Sequence, residues 1–258
     1  MQAYLHELSK IGWTGLLLMF LRTVSSKRQL AGSLFCSALF IFGGKHMNAV
    51  IYRPYKRQDF KAVSSIINII WKHESYYSPK TAVRLSEAYL RLCLTEQTFT
   101  QVALADGKPI GIIMGNHIRR HRCPLVLRLQ AGWSVLVLSM TAEGRRSWRF
   151  LEEIDRIYAA LLSGQPQEYR GELSFFAIHP DYHGQGIGRE LFSRFCVYME
   201  RENIQHFYVF TDTSCNYGFY EHQGMQRRCE KQKTFEIDGK KAEMTFFLYD
   251  AATDLQAI

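Results

Sequence analysis

The sequence predicts an α/β (α+β) protein whose elements follow the order β-α-α-β-β-(insert)-β-α-β-α-β-β. Short apolar runs of strand length alternate with segments of helical periodicity along most of the chain. Asp-Gly pairs at positions 106–107 and 238–239, each between two strand-like runs, predict tight hairpins. A buried strand, a glycine-rich loop and a helix follow one another between Glu172 and Arg189.

The first part of the chain predicts one strand and two helices. Val50–Arg53 is the strand, and Asp59 is a suitable N-cap for the helix that follows it. One face of this helix carries four apolar residues, Val63, Ile66, Ile67 and Ile70. Ser78-Pro79 places a capping residue before a proline at the first helical position, which predicts a second helix running toward Leu94.

A hairpin and a long insert follow. Thr98–Ala105 and Ile110–Asn116 are predicted strands joined through Asp106-Gly107. The segment at about residues 118–170 separates this hairpin from the next strand, and within it Ser147–Leu162 is predicted to be an amphipathic helix. The apolar face of that helix consists of Phe150, Ile154, Ile157 and Leu161.

The remaining elements end in a second hairpin. The strand that ends at Ile178 is stopped by Pro180, because proline has no amide hydrogen for the ladder. After the glycine loop and its helix, Gln205–Asp212 is predicted to be another buried strand. Arg227–Ile237 and Lys241–Tyr249 form the terminal hairpin.

Composition is that of an ordinary globular protein with a basic surplus. The chain has 258 residues and a net charge of +8, which favours anionic partners and is equally consistent with solubility alone. Its six cysteines contain no C-x-x-C pair and predict reduced thiols in a cytoplasmic protein. They are Cys36, Cys93, Cys123, Cys196, Cys215 and Cys229. No metal site is predicted, since His179 and His183 have no evident third ligand.

Residues 1–46 differ from the rest and are predicted to be a non-core hydrophobic and basic extension. Their two apolar runs, 15–21 and 30–44, are each shorter than the roughly 18–20 residues that span a bilayer. A membrane-associating segment and a helical hairpin that packs on the domain or mediates pairing are the alternatives. Residues 47–258 are predicted to form one domain.

The glycine loop is the strongest functional signal. Gly184, Gly186 and Gly188 alternate after a strand and before a helix, so backbone N–H groups and a helix dipole would meet at one place, which suits a phosphate. A dinucleotide fingerprint fails because position 189 is Arg189, and no window has the spacing of a Walker loop.

These residues resemble the pyrophosphate loop of the GNAT superfamily of N-acyltransferases, usually written Q/R-x-x-G-x-G/A. Here it reads His183-Gly184-Gln185-Gly186-Ile187-Gly188, with His183 where the family has Gln or Arg. The resemblance covers Met47 to Tyr249 and implies a mixed, strongly twisted sheet with helices on both faces. It also implies acetyl-CoA as co-substrate. The chain is similar to bacterial members of unassigned substrate, so no acceptor follows.

The resemblance implies a set of acetyl-CoA-binding residues and a proton donor. The binding residues are Ala177, Ile178, His183, Gly184, Gln185, Gly186, Ile187, Gly188, Arg189 and Asn216. Tyr220, shortly before Gly224, matches the tyrosine that protonates the departing thiolate in family members. A packed aromatic is the other interpretation of Tyr220, and Tyr217 fits the spacing less well.

Glu172 resembles the glutamate that some members use as a base for a protonated amine, directly or through water. The alternative is a solvated strand end. In this fold the strands ending near Ile178 and starting near Phe207 splay apart and receive the pantetheine arm. A backbone amide near Ile178 hydrogen-bonds the thioester carbonyl as it gains charge.

The resulting hypothesis is an N-acetyltransferase acting on a primary amine by direct attack in a ternary complex. The acceptor is expected to be a small amine or an amine of a peptide or protein. No nucleic-acid partner is expected. The sequence does not decide between a monomer and a homodimer. A catalytically idle acyl-CoA-binding module is the alternative. The insert at residues 118–170 sets acceptor choice, pairs two subunits, or both. The basic residues Arg119–Arg122, Arg145, Arg146 and Arg149 are solvated or contact an anion.

Overall fold

A computed structural model describes residues 49–237 and 240–253, and these form a single seven-stranded sheet. The strand order is β1-β2-β3-β4-β5-β7-β6, and only the β4–β5 pair is parallel. The strands are β1 Ile51–Arg53, β2 Phe99–Ala105, β3 Lys108–His117, β4 Gly171–Ile178, β5 His206–Asp212, β6 Gln226–Ile237 and β7 Lys240–Ala252.

Helices cover both faces of the sheet, and the predicted element order is confirmed. They are α1 Phe60–Ile70, α2 His73–Tyr76, α3 Pro79–Thr95, α4 Leu125–Ser139, α5 Ala142–Ser163, α6 Ile187–Arg201 and α7 Gly218–His222. One core lies between the sheet and α1, α3 and α5, and it contains the buried residues Ile67, Leu90 and Ile157. The other lies under α6 and α7 and contains Leu191 and Phe195.

The predicted starts of the first helices agree with the structure, although Asp59 acts one turn earlier than expected. Asp59 occupies the N-cap of α1, but its carboxylate accepts a hydrogen bond from the Lys56 amide at 2.7 Å. The same carboxylate pairs with both terminal nitrogens of Arg53, at 2.7 and 2.8 Å. Asp59 therefore ties β1 to the 3-10 turn that leads into α1. The second predicted helix begins at Pro79, as expected.

Both turn residues of the first hairpin have positive φ. The angles are +50° at Asp106 and +76° at Gly107, as a tight two-residue turn between twisted strands requires. The strands it joins, β2 and β3, match the prediction within two residues. The turn between β6 and β7 at positions 238–239 lies outside the described residues.

The insert consists of α4 and α5 joined by a close corner. A Cβ atom on Gly144 would lie 1.9 Å from the Leu138 carbonyl oxygen, so only glycine fits there. Helix α5 buries Ile154, Ile157 and Leu161 as predicted. Helix α4 is apolar on its exposed side as well, where Trp133 is 66% exposed.

No helix among residues 49–237 and 240–253 is long and apolar enough to cross a membrane. Residues 1–46, the predicted extension, lie outside the described part of the chain.

Candidate active site

The glycine loop joins the end of β4 to α6 through two left-handed residues. Gly184 and Gly186 have φ of +74° and +78°, and Gly186 is the N-cap of α6. Such a conformation aims successive amides at one place, and the first amides of α6 have no partner within the helix. The loop at residues 183–189 therefore has a geometry that suits an anionic group such as a phosphate.

His183 has a role in the loop that its place in the motif did not suggest. Its Nε2 lies 2.9 Å from the Ile178 carbonyl oxygen, so the ring donates a hydrogen bond to the end of β4. Gln185 donates in the same way to the Asp181 carbonyl oxygen at 3.2 Å. Both side chains thus stabilise the loop itself, and the amides remain the groups available to an anion.

Gly188 brings the loop, β4 and α7 into contact. A Cβ atom there would lie 3.1 Å from Ile178 Cδ1, 3.4 Å from Phe219 and 3.5 Å from Phe176. The first turn of α6 can pack this closely only because the side chain is absent. The segments that carry the predicted acetyl-CoA-binding residues and Tyr220 are therefore neighbours.

Strands β4 and β5 separate, as expected. Their parallel pairing is confined to Gly171 with Phe207 and Glu172 with Tyr208. Toward Ile178, β4 remains paired with β3, through the match of Ile178 with Gly111, while its other edge has left β5. Ala177 and Ile178 lie on this open edge, which offers backbone groups to an extended ligand.

The turn after β5 is built around Asp212. Its carboxylate accepts hydrogen bonds from the amide and hydroxyl of Ser214, the former at 2.8 Å. Burial raises the pKa of Asp212 to about 6. This turn leads to Asn216, which is exposed, and to α7, where Tyr220 is buried with 6% exposure.

Glu172 is buried, so its interpretation as a solvated strand end is wrong. The side chain is 8% exposed, and the residue lies at the start of β4. Burial, and then the charge of Glu96, raise the pKa of Glu172 to about 8, against hydrogen bonds from Tyr208 and Asn116 that favour the carboxylate. A carboxyl group with such a pKa is suited to exchange a proton near neutral pH.

A β-bulge at Ser174 determines which face Glu172 occupies. Met114 pairs with Phe175 and the next residue of β3 pairs with Leu173, so Ser174 is the extra residue. Leu173 packs in the core under α6, whereas Phe175 packs in the core under α1 and α3. Glu172 accordingly lies on the same side as Phe175.

Glu96 is a second acidic group that the sequence did not reveal. Burial raises its pKa to about 7, and the nearby Arg128 of α4 acts in the opposite direction. Glu96 follows the last residue of α3, far from Glu172 along the chain, and no motif marks it. No motif marks Tyr208 or Asn116 either, so the sequence predicts only that they belong to strands.

An aromatic cavity of about 780 Å³ lies on the Glu172 side of the sheet, between α2, α3, α5 and the β6–β7 hairpin. Its lining includes Trp71, His73, Tyr76, Tyr77, Tyr89, Phe150 and Phe235, with Arg146, Arg149, Glu153, Lys233, Glu236 and Lys241. Trp71 and Tyr89 also contact Phe175 of β4, with ring centroids 6.2 and 5.8 Å away. Trp71 and Tyr89 therefore separate the cavity from the strand that carries Glu172.

Two arginines at the start of the insert, Arg119 and Arg120, are exposed to solvent and form ion pairs with glutamates. Arg119 contacts Glu168 at 2.5 Å, and Arg120 contacts Glu202 at 2.7 Å, with both arginines more than half exposed. Exposed pairs of this kind contribute little to stability. Arg149, further along, lines the cavity instead.

A model of the acetyltransferase (GNAT) family matches residues 63–225, which is more than half of the chain. The chain belongs to this family. Membership confirms the family and fold predicted from the sequence and, with them, acetyl-CoA as the co-substrate.

Solved structures resemble this acetyltransferase at low sequence identity. SsHAT is 16% identical with a TM-score of 0.51, over 80% of this chain and 99% of that one. An N-acetyltransferase from Staphylococcus aureus Mu50 is 13% identical with a TM-score of 0.48, over 80% and 100%. YncA from Salmonella typhimurium, solved with its cofactor acetyl-CoA, is 17% identical with a TM-score of 0.44, over 82% and 98%. A search of the curated proteins finds no match.

Proposed function

We propose that this acetyltransferase moves an acetyl group from acetyl-CoA to a primary amine by direct attack while both are bound. One observation carries the proposal: β4 bears a buried carboxyl group where it still pairs with β5, and its open edge leads to a glycine loop packed against a helix that bears a buried tyrosine. The acceptor is a small amine or a peptide or protein amine. Residues 47–258 act as a single domain, which we place in the cytoplasm.

The glycine loop and the open edge of β4 would hold the donor. Amides of residues 184–189 would contact the pyrophosphate, Asn216 would contact the CoA arm, and the backbone of Ala177 and Ile178 would bind the extended part. Acetyl-CoA supplies the acyl group as a thioester. An amide near Ile178 would stabilise the negative charge that develops on the carbonyl oxygen.

Glu172 would remove the proton that an amine carries at neutral pH, directly or through one water. The raised pKa supports this role, because a carboxylate of ordinary pKa would be too weak a base for an ammonium group. Its ionised fraction increases as the pH rises toward about 8. Tyr220 would return a proton to the departing thiolate.

The donor half of this proposal is tested by two matched glycine substitutions. Gly186 and Gly107 have nearly the same φ, +78° and +76°, and neither has an atom within 4 Å of an added Cβ. Gly186→Ala and Gly107→Ala should therefore lose similar stability, about 1 kcal/mol. Only Gly186→Ala should weaken acetyl-CoA binding, by about tenfold, measured by isothermal titration calorimetry. Equal acetyl-CoA affinities in the two variants would contradict the proposed loop.

Turnover is tested by release of free thiol from acetyl-CoA in the presence of pooled primary amines. Amine-dependent release by the full chain is the expected result. Binding of acetyl-CoA without release by any amine would instead favour an idle acyl-CoA-binding module.

A further inference from the structure

Seven of the 18 residues that line the cavity carry aromatic rings. Trp71 and Tyr89 are buried and meet edge to face at 4.2 Å between ring centroids. On the opposite side, Phe150 of α5 and Phe235 of β6 meet at 4.9 Å. Flat apolar walls on two sides favour a ligand with a ring, through burial and through edge or stacking contacts.

The rim of the cavity is positively charged. Four cationic side chains line it against two carboxylates, and one of these carboxylates, Glu153, is already paired with Lys233 at 2.7 Å. Arg149 and Lys241 are exposed to solvent and form no ion pair in the described part of the chain, although Glu236 lies directly opposite Lys241 in the β6–β7 pair. A group with negative charge is therefore favoured at the rim, and a polycation is disfavoured.

His73 adds a neutral hydrogen-bonding group to the same wall. Its Nδ1 lies 2.8 Å from Ser86 Oγ, and Ser86 in turn donates to the Ala82 carbonyl oxygen at 2.9 Å. Because the serine proton is used, Nδ1 carries the imidazole hydrogen, and Nε2 retains a lone pair. Burial lowers the pKa of His73 to about 4, so the ring adds no positive charge that would repel an amine.

The two ends of the cavity differ in chemistry, and this difference favours one orientation of a bound ligand. The inner end is formed by Trp71 and Tyr89, which contact Phe175 on the side of β4 that carries Glu172. The outer end carries Arg149 and Lys241. A volume of about 780 Å³ is within the range of small-molecule sites.

We propose that the acceptor is a small primary alkylamine that carries an aromatic ring and a carboxylate, with its amine directed toward β4 and its carboxylate toward Arg149 and Lys241. The inference rests on the proposed function, since it names the substrate class of the same site. The apolar body lies between the two aromatic walls.

The test compares 4-(aminomethyl)benzoate with 4-methylbenzylamine, which keeps the ring and the amine and lacks the carboxylate, and with spermidine. Affinity for the full chain in the presence of CoA is measured by ligand-observed NMR titration, and thiol release from acetyl-CoA is measured in parallel. We expect 4-(aminomethyl)benzoate to bind at least tenfold more tightly than either of the others.

Two charge reversals on α5 serve as a matched pair. Arg149→Glu, in the cavity rim, should remove the preference for the carboxylate and leave the affinity for 4-methylbenzylamine unchanged. Arg156→Glu reverses an exposed arginine on the same helix that is not part of the lining, and it should change neither affinity. Tighter binding of spermidine or 4-methylbenzylamine, or equal effects of the two reversals, would overturn the inference.

The two proposals fail in different ways. Preferential acetylation of 4-methylbenzylamine would leave the acetyltransferase intact and reject the carboxylate preference. Tight, Arg149-dependent binding of 4-(aminomethyl)benzoate without acetylation of any amine would retain the ligand class and reject the N-acetyltransferase proposal.

Discussion

The two sides of the sheet are built in different ways, although both meet at β4. On the α6 side, the proposed donor site consists mainly of backbone amides in the contiguous segment 183–189. On the α1, α3 and α5 side, the proposed acceptor site consists of side chains from three distant segments, around Trp71, Phe150 and Phe235. A backbone site depends on conformation and a side-chain site depends on composition, so changes on the two sides should affect different steps of the reaction.

The largest expected effect falls on Glu172, where the two sides meet. Glu172→Gln removes the proposed base without changing the shape of the side chain, and kcat/KM for an amine should fall by about 10²–10³-fold. In the unaltered protein, kcat/KM should rise with pH and level off above about 8, because only the carboxylate accepts a proton. Thiol-release kinetics from pH 6 to 9 measure both.

The same substitution predicts a change in stability with pH. The folded-state pKa of Glu172 is raised, so its contribution to stability is complete below its unfolded pKa and is lost as pH rises through about 8. Glu172→Gln should therefore be increasingly stabilising relative to the unaltered protein from pH 5 to about pH 8, and the difference should level off above that pH. Thermal unfolding across this range measures the difference. A constant difference would show that the folded-state pKa of Glu172 is not raised.

Tyr220 should have the next largest effect, on the donor side. Tyr220→Phe should lower kcat by about 10- to 100-fold while the affinity for acetyl-CoA stays within about twofold. Tyr198→Phe, on α6, is the control, since it also removes a hydroxyl, which lies 2.8 Å from Thr98 Oγ1. Equal, small effects on kcat would support the interpretation of Tyr220 as a packed aromatic.

The smallest effect is expected from Phe150, which lines the cavity. Its substitution is the most direct test of whether the two sides of the sheet act independently. Phe150→Leu shortens a half-buried side chain and should raise KM for the acceptor about three- to tenfold. The affinity for acetyl-CoA should not change, because the substitution lies on the opposite side of β4. A parallel loss of acetyl-CoA affinity, measured by calorimetry, would show that the two sides are not independent.

The same contrast explains what the sequence predicts well. The helices, strands and first hairpin follow from periodicity, from Ser78-Pro79 and from Asp106-Gly107, all of which act locally. The donor loop is also local, because three alternating glycines after a strand indicate its conformation directly. His183 departs from the family pattern, and only the structure shows that it bonds to Ile178.

The acceptor side was not predictable in the same way. The family resemblance indicates Glu172, but its pKa also depends on Tyr208, Asn116 and Glu96, which are distant in sequence. The cavity needs residues from α2, α5 and β6 at once, and no local pattern relates them. The insert was predicted to affect acceptor choice, and Phe150 and Arg149 support that prediction without identifying a ligand.

The bulge at Ser174 has a consequence for comparing or redesigning such chains. Because one additional residue changes the phase of the strand, Glu172 and Phe175 share a face although three positions separate them. Inserting or deleting a single residue in β4 would exchange the residues that point to the two sides. A sequence alignment that places a gap there would assign the acidic group to the wrong half of the protein, however well the flanking motifs agree.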